Sequence, residues 1–283
     1  MRHCCAVLLL LACTCVAQQR VPLKEATIPH EQVDQEPQNQ PYEGRHIASL
    51  AFRGNQHFSF ETIRDLLKTK AGDSYYAEKL ESDMYQLRVL LLARGGYLRA
   101  TFGKPEIEDT PSGLRIVVPM QEGILYRVGS IKVKDSTVFP PEKVIQIFGL
   151  ESGEIADGYR VKVGLEKLDK LYRNRGYVQF NAEFIPDFKQ AIPDGEEGVV
   201  DITFELYEGA VFRISAIHFE GNTRTTDLSL RRRLRIREGD VYNESLLNKC
   251  VERIYALGLY QEVSLGYEID DHGKNVDITI RVR

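Results

Sequence analysis

Along the chain, a short run of alternating apolar and polar residues gives way to apolar residues spaced three and four apart. Alternation then returns, and this order occurs three times. LAFRGNQHF (50–58), SIKVKDSTVF (130–139) and AIHFEGNTRT (216–225) each predict a short strand ending in a Gly-Asn or Asp-Ser turn. A short helix is expected after each turn. In the first copy Phe58 precedes Ser59, with Ile63 beyond it, a hydrophobic staple around an N-cap serine. The second copy starts with Pro140-Pro141-Glu142 and the third with Thr225-Thr226-Asp227. Polar glycine turns follow: KAGDSY (70–75), LESGEIADGY (150–159) and REGDVY (237–242).

A longer amphipathic helix is predicted next. Its apolar face is Leu80, Met84, Leu87 and Leu91 in the first copy, and Val161, Leu165, Leu168 and Tyr172 in the second. In the third it is Leu247, Val251, Ile254 and Leu257. Gly95-Gly96, Gly176 and Gly258 stop these helices. Two strands then form a hairpin: 96–107 with 113–123, 176–188 with 198–209, and 258–269 with 275–283. Val178, Phe180, Ala182 and Phe184 alternate with polar neighbours, so one face of the second hairpin is expected to be buried. The predicted fold class is α+β: three tandem β-α-α-β-β domains over 46–124, 125–210 and 211–283, each a three-stranded mixed sheet covered on one face by two helices. The segments between copies, Ile124 to Gly129 and Ala210 to Arg213, are short, which predicts a semi-rigid curved rod.

Composition narrows the function. Lys plus Arg number 37 against 41 Asp plus Glu, a net charge of −4, which does not suit a nucleic-acid partner. Four of the five cysteines fall in the first fifteen residues; only Cys250 belongs to the repeats, on an apolar helical stretch where it is expected as a small buried hydrophobe. The opening MRHCCAVLLLLACTCVAQ predicts a secretory signal over 1–17, its apolar run too short to span a bilayer. Cleavage after Ala17 and lipoprotein-type processing before Cys13, in LLAC (10–13), are both open; the second would leave Cys13 lipidated. Residues 18–45, rich in Gln, Glu and Pro, predict a disordered linker.

Catalytic chemistry is not legible. The six histidines (3, 30, 46, 57, 218 and 272) form no ligand pair, and no nucleophile elbow, P-loop or dinucleotide fingerprint occurs. No enzyme activity, metal or cofactor is expected. The run LRRRLRIR (230–237) predicts a helix with Leu230 and Leu234 on its core side. Arg231, Arg232, Arg233 and Arg235 would then be candidates for contact with anionic lipid head groups or an acidic partner.

The repeated order resembles the polypeptide-transport-associated (POTRA) domain of outer-membrane assembly factors. It is carried by IHFEGNTRT (217–225), LRIREGDVYNESLL (234–247) and RIYALGLYQEVSLGYE (253–268), echoed by FRGN, KAGDSYYAEKL and LLARGGYL in the first copy and by SIKVKDS, LYRNRGYV and ITFELYEG in the second. The resemblance covers 46–283 and implies a periplasmic location ahead of a membrane β-barrel, whose strands this sequence does not hold. It also implies unfolded outer-membrane proteins and barrel assembly components as partners. It places the exposed sheet edge on the first strand of each hairpin, about residues 97–104, 177–185 and 259–267, where an extended peptide adds a strand. Candidate residues on these edges are Tyr97, Arg99 and Thr101; Tyr177, Gln179 and Asn181; and Tyr260, Glu262 and Ser264. Pro105 and Pro186 would limit pairing on two of them. An adaptor in a cell-division or two-partner-secretion complex, or a fragment of a barrel assembly factor, is the alternative.

Overall fold

The computed structural model describes residues 41–190 and 197–283. The expected signal over 1–17, Cys13 and its alternative processing, and the expected linker up to residue 40 lie outside the described residues. The first repeat runs β1 (Ile47–Arg53), α1 (Phe60–Leu66), α2 (Ala77–Gln86), β2 (Thr101–Phe102), β3 (Glu106–Thr110) and β4 (Gly113–Gln121). The second runs β5 (Leu125–Lys134), α3 (Pro141–Phe148), α4 (Gly158–Arg173), β6 (Asn181–Gln190) and β7 (Glu197–Tyr207). The third runs β8 (Arg213–Glu220), α5 (Asp227–Arg231), α6 (Glu244–Tyr255), β9 (Val263–Asp270) and β10 (Asn275–Val282).

In each sheet the last strand is central. β4, β7 and β10 pair in parallel with β1, β5 and β8 on one side, and antiparallel with the first strand of the hairpin on the other. The central strands bury alternate residues against the helices: Leu114, Ile116, Val118 and Met120; Val200, Ile202, Phe204 and Leu206; Val276, Ile278, Ile280 and Val282. The first sheet departs from the expected three strands. Its edge is broken at Gly103–Pro105 into β2 and β3, because proline has no N–H for the ladder and bends the chain out of register.

Local signals set the helix starts. Ser59, Asp157, Thr226 and Asn243 cap α1, α4, α5 and α6 by accepting the N–H of Thr62, Arg160, Ser229 and Leu246. After α2 the helix widens into a π-helical stretch over Leu87–Ala93. The widening changes the buried set: Leu87 and Leu92, five apart, are fully buried, whereas Leu91, expected on the core face, is only partly so. Cys250 is fully buried within α6.

The repeated turn after the first strand is held from both sides. Asn55 donates from Nδ2 to the Phe58 carbonyl at 2.9 Å, Ser136 from Oγ to Phe139 at 2.6 Å, and Asn222 from Nδ2 to Thr225 at 3.4 Å. A carboxylate just past the central strand then returns to the same turn. Glu122 accepts the His57 N–H at 2.7 Å; Glu208 accepts the N–H of Thr137 at 2.9 Å and of Val138 at 3.0 Å.

The described residues up to Ala210 form one compact unit and Val211–Arg283 a second. Within the first unit, two repeats share a core: Ala93 and Leu98 join the cluster of the second repeat, and Leu125 that of the first. The Tyr126 N–H donates to the Gly96 carbonyl at 2.9 Å across this junction. Structure also begins earlier than the expected boundary at residue 46. Tyr42 packs against the first core, Glu43 accepts the Ala77 N–H at 2.9 Å, and Gly44 donates to Tyr75 at 2.8 Å.

Helix contact inside the second repeat gives a prediction in which two effects oppose. A methyl on Gly164 of α4 would lie 2.7 Å from Phe148 Cε1 and nearer still to its Cδ1. Phe148 cannot swing away, being stacked on Phe204 with ring centroids 3.8 Å apart. Alanine gains about 1 kcal/mol in helix propensity over glycine, but overpacking a rigid core costs about 1–3 kcal/mol. Gly164→Ala is therefore expected to lower stability by about 1 kcal/mol; an unchanged or raised urea midpoint would show that Phe148 yields.

Candidate strand-addition edges

Each sheet has two rims, and they differ. The rim of the first strand is partly occupied by the polar glycine turn between the helices. In the first repeat Ile47 N–H donates to Asp73 O at 2.8 Å and Tyr75 N–H to Arg45 O at 2.7 Å. In the second, Val128 N–H donates to Glu154 O at 2.8 Å and Gly153 N–H to Val128 O at 2.7 Å. In the third, Ile214 N–H donates to Asp240 O at 2.9 Å and Gly239 N–H to Ile214 O at 2.7 Å. This role of KAGDSY, LESGEI and REGDVY could not be seen in the sequence, because backbone pairing between distant segments leaves no side-chain signature. On the opposite rim lie β2 with β3, β6 and β9, the first strands of the hairpins, and among the described residues no strand pairs with their outer side.

These edge strands start later than expected. Tyr97 and Tyr260 are buried and Tyr177 packs against the second core, so the tyrosine one or two residues after each glycine stop anchors the chain in the core before the strand begins. The turns close by hydrogen bonds from Ala100 N–H to Tyr97 O and from Phe180 N–H to Tyr177 O, both 3.2 Å. Arg99 lies in the first turn with its guanidinium over the Phe188 ring at 5.6 Å, and Gln179 sits in the second beside Gly209. Glu262 exchanges backbone bonds with Arg283 just before β9 begins. Of the nine expected edge residues, Thr101, Asn181 and Ser264 stand on the strands, opposite Gln121, Tyr207 and Arg281.

The three edges are not equivalent. The first is interrupted at Pro105, and β6 carries Pro186 opposite Ile202, so each lacks a donor. β9 is proline-free over Val263–Asp270. Its Val263, Leu265, Tyr267 and Ile269 stand opposite Val282, Ile280, Ile278 and Val276, on the core-facing side of the sheet. Yet Tyr267 and Ile269 remain 39% and 40% exposed. Leu265, Tyr267 and Ile269 are edge residues that the sequence pattern did not single out. Their alternation in VSLGYEID was the available signal.

The arginine run is organised otherwise than expected. α5 ends at Arg231, and Arg232 and Arg233 lie in a turn. Arg231 bridges Asp227 at 3.1 Å and Glu238 at 3.3 Å and donates to the Ile217 carbonyl at 2.5 Å; the Asp227 hydrogen bond, above all, holds its guanidinium above its ordinary pKa. It is a clamp within the repeat, not a free contact residue.

The family model described as "POTRA: Surface antigen variable number repeat" matches residues 46–123, 126–209 and 212–283. Outer membrane protein assembly factor BamA of Neorickettsia risticii (strain Illinois) is 28% identical over 253 residues, 84% of this chain and 32% of that protein. The protein of the same name from Neisseria meningitidis serogroup B is 22% identical over 229 residues, 77% of this chain and 28% of its own length. The chain thus spans about a third of the length of the curated relatives it matches. Among solved structures, Haemophilus influenzae BamA POTRA3-5 matches with a TM-score of 0.70 at 21% identity, over 85% of this chain and 98% of that one, which gives the same fold. With all three repeats matched and the strand order alike in each, the chain belongs to the POTRA, or surface antigen variable number repeat, family.

Proposed function

We propose that this chain is a non-enzymatic receptor segment in outer-membrane protein assembly, facing the periplasm, and that it holds extended segments of unfolded barrel precursors or of assembly components by adding a strand to β9. The relatives' names support the process, and the amino-terminal 1–17 would supply export. The observation that carries the mechanism is the conjunction on β9 of an open, proline-free backbone edge with partly exposed apolar side chains.

Magnitudes explain why both parts matter. A paired backbone hydrogen bond nets about 1 kcal/mol, whereas ordering each residue of an unfolded client costs about 1–2 kcal/mol. Pairing alone therefore fails to hold a client. Burial of Tyr267 and Ile269 against alternate client side chains contributes about 1.5–3 kcal/mol each when complete. The sum is a weak, sequence-tolerant grip, which suits a receptor that must release what it binds.

Amide exchange tests this directly. In the free chain the outward amides of β9 should exchange quickly while those of β10 are protected. A peptide of about ten alternating apolar and polar residues, patterned on a membrane-barrel strand, should slow the β9 set at least tenfold. Ile269→Asp should weaken that peptide about tenfold by removing apolar burial. β9 amides already protected in the free chain, or peptide protection confined to another strand, would overturn the assignment.

A further inference from the structure

We propose that the third repeat carries a second, separate docking surface, for anionic lipid head groups, built from Leu228, Arg232, Arg233 and Arg235. From Thr223 to Arg237 the sequence has six arginines against one acid, Asp227. That acid, with Glu238, is engaged by Arg231. Arg232, Arg233 and Arg235 are exposed and have no carboxylate at ion-pair distance among the described residues. Asp240, the next acid along, accepts the Arg237 backbone N–H at 2.7 Å.

Leu228 selects the occupant. At 59% it is the most exposed large apolar side chain among the described residues. The Arg232 N–H donates to the Leu228 carbonyl at 3.2 Å, so the two residues stand one helical turn apart on one face. Arg224, at the preceding turn, donates to the carbonyl of Leu259, itself 42% exposed, at 3.3 Å. A purely acidic face would satisfy the guanidinium groups but leave Leu228 in water. A membrane interface takes both: phosphate oxygens receive bidentate guanidinium bonds, and the leucine enters the head-group boundary. The arginines lie on an open turn, which suits a broad surface and not a folded peptide.

The chain has no tryptophan, so Leu228→Trp in the full chain gives a single reporter of this surface. Vesicles of phosphatidylglycerol should shift its emission to the blue, brominated acyl chains should quench it, and high salt should reverse both. Phosphatidylcholine vesicles should do neither. With R232Q, R233Q and R235Q added, on the order of 100-fold more lipid should be needed. These exposed positions leave the core untouched, and an unchanged circular dichroism melt verifies folding. An equal response to phosphatidylcholine, or no effect of the triple substitution, overturns the proposal. So does a response to soluble poly-glutamate without one to vesicles, which assigns the surface to an acidic protein. None of these outcomes touches β9, so strand addition stands or falls separately.

Discussion

Replacing Gly54 with alanine is expected to cost about 4 kcal/mol and to melt the first repeat's sheet from its centre. Gly54 closes β1 with φ near +98°, where a side chain is strained, and an added methyl would collide with the Met120 carbonyl oxygen on the central strand. That oxygen is main chain, so relief requires moving β4 itself. The movement would disturb the pairing of Phe52 with Val118 and of Arg53 with Pro119, and would draw Glu122 away from the His57 turn two residues on. Gly221, at φ +81° against the Val282 carbonyl, repeats the arrangement in the third copy. The second copy has Asp135 at φ +57°, inside the left-handed region that aspartate tolerates. Gly54→Asp should therefore fail although aspartate serves at the equivalent place. A urea midpoint for Gly54→Ala within experimental error of the parent's would refute the steric argument.

The repeat order was legible because it rests on local chemistry: caps, glycine stops and the two hydrophobic periods. The edges were less so. Val178 and Phe180 alternate with polar neighbours just as Ala182 and Phe184 do, but the first pair is buried beside a turn and the strand starts only at Asn181. Alternation cannot distinguish a strand from a turn that inserts its side chains into the core. The arginine run misled for a related reason. Leu230 and Ile236 are both buried, six residues apart. A continuous helix would rotate them by about 240° relative to each other, so the chain must leave the helix between them. Leu234 at helical spacing from Leu230 suggested the opposite, and the packing of Ile236 decided it. The Leu91-to-Leu92 exchange came from a one-residue widening within LRVLLLA, where adjacent leucines let either phase supply an apolar residue.

The second large effect is expected at Glu208. Its Oε1 accepts the Tyr172 hydroxyl at 2.6 Å besides the N–H groups of Thr137 and Val138, and its Oε2 accepts the Thr137 hydroxyl. Tyr172 is fully buried, stacked on Phe180 at 3.9 Å and edge-on to Phe139 at 5.0 Å, so its hydroxyl has no route to water by rotation. The first repeat shows what the tyrosine adds. Leu92 occupies the equivalent place, and Glu122 Oε1 is buried without a hydrogen-bond partner. Glu208→Ala strands the tyrosine hydroxyl and frees two amides near the surface, a loss of about 2–3 kcal/mol. Glu208→Gln keeps Oε1 as acceptor and should lose about 1 kcal/mol or less. Burial, the largest single influence on Glu208, raises its pKa, but the bonds from Thr137, Tyr172 and Val138 together outweigh it and the net shift is downward. A lowered folded-state pKa means that the carboxylate's stabilisation is complete above the ordinary glutamate value and is lost as pH falls through the folded one. Tyr172 is shifted upward, by burial first and then by Glu208, so its contribution is complete below the ordinary tyrosine value and declines as pH rises beyond it. The free energy of opening at β7, read by native-state amide exchange, should accordingly fall on the acid side in the parent and fall less steeply in Glu208→Gln, whose amide does not titrate. An acid limb of equal slope in both would mean that the carboxylate's charge contributes nothing to holding the turn.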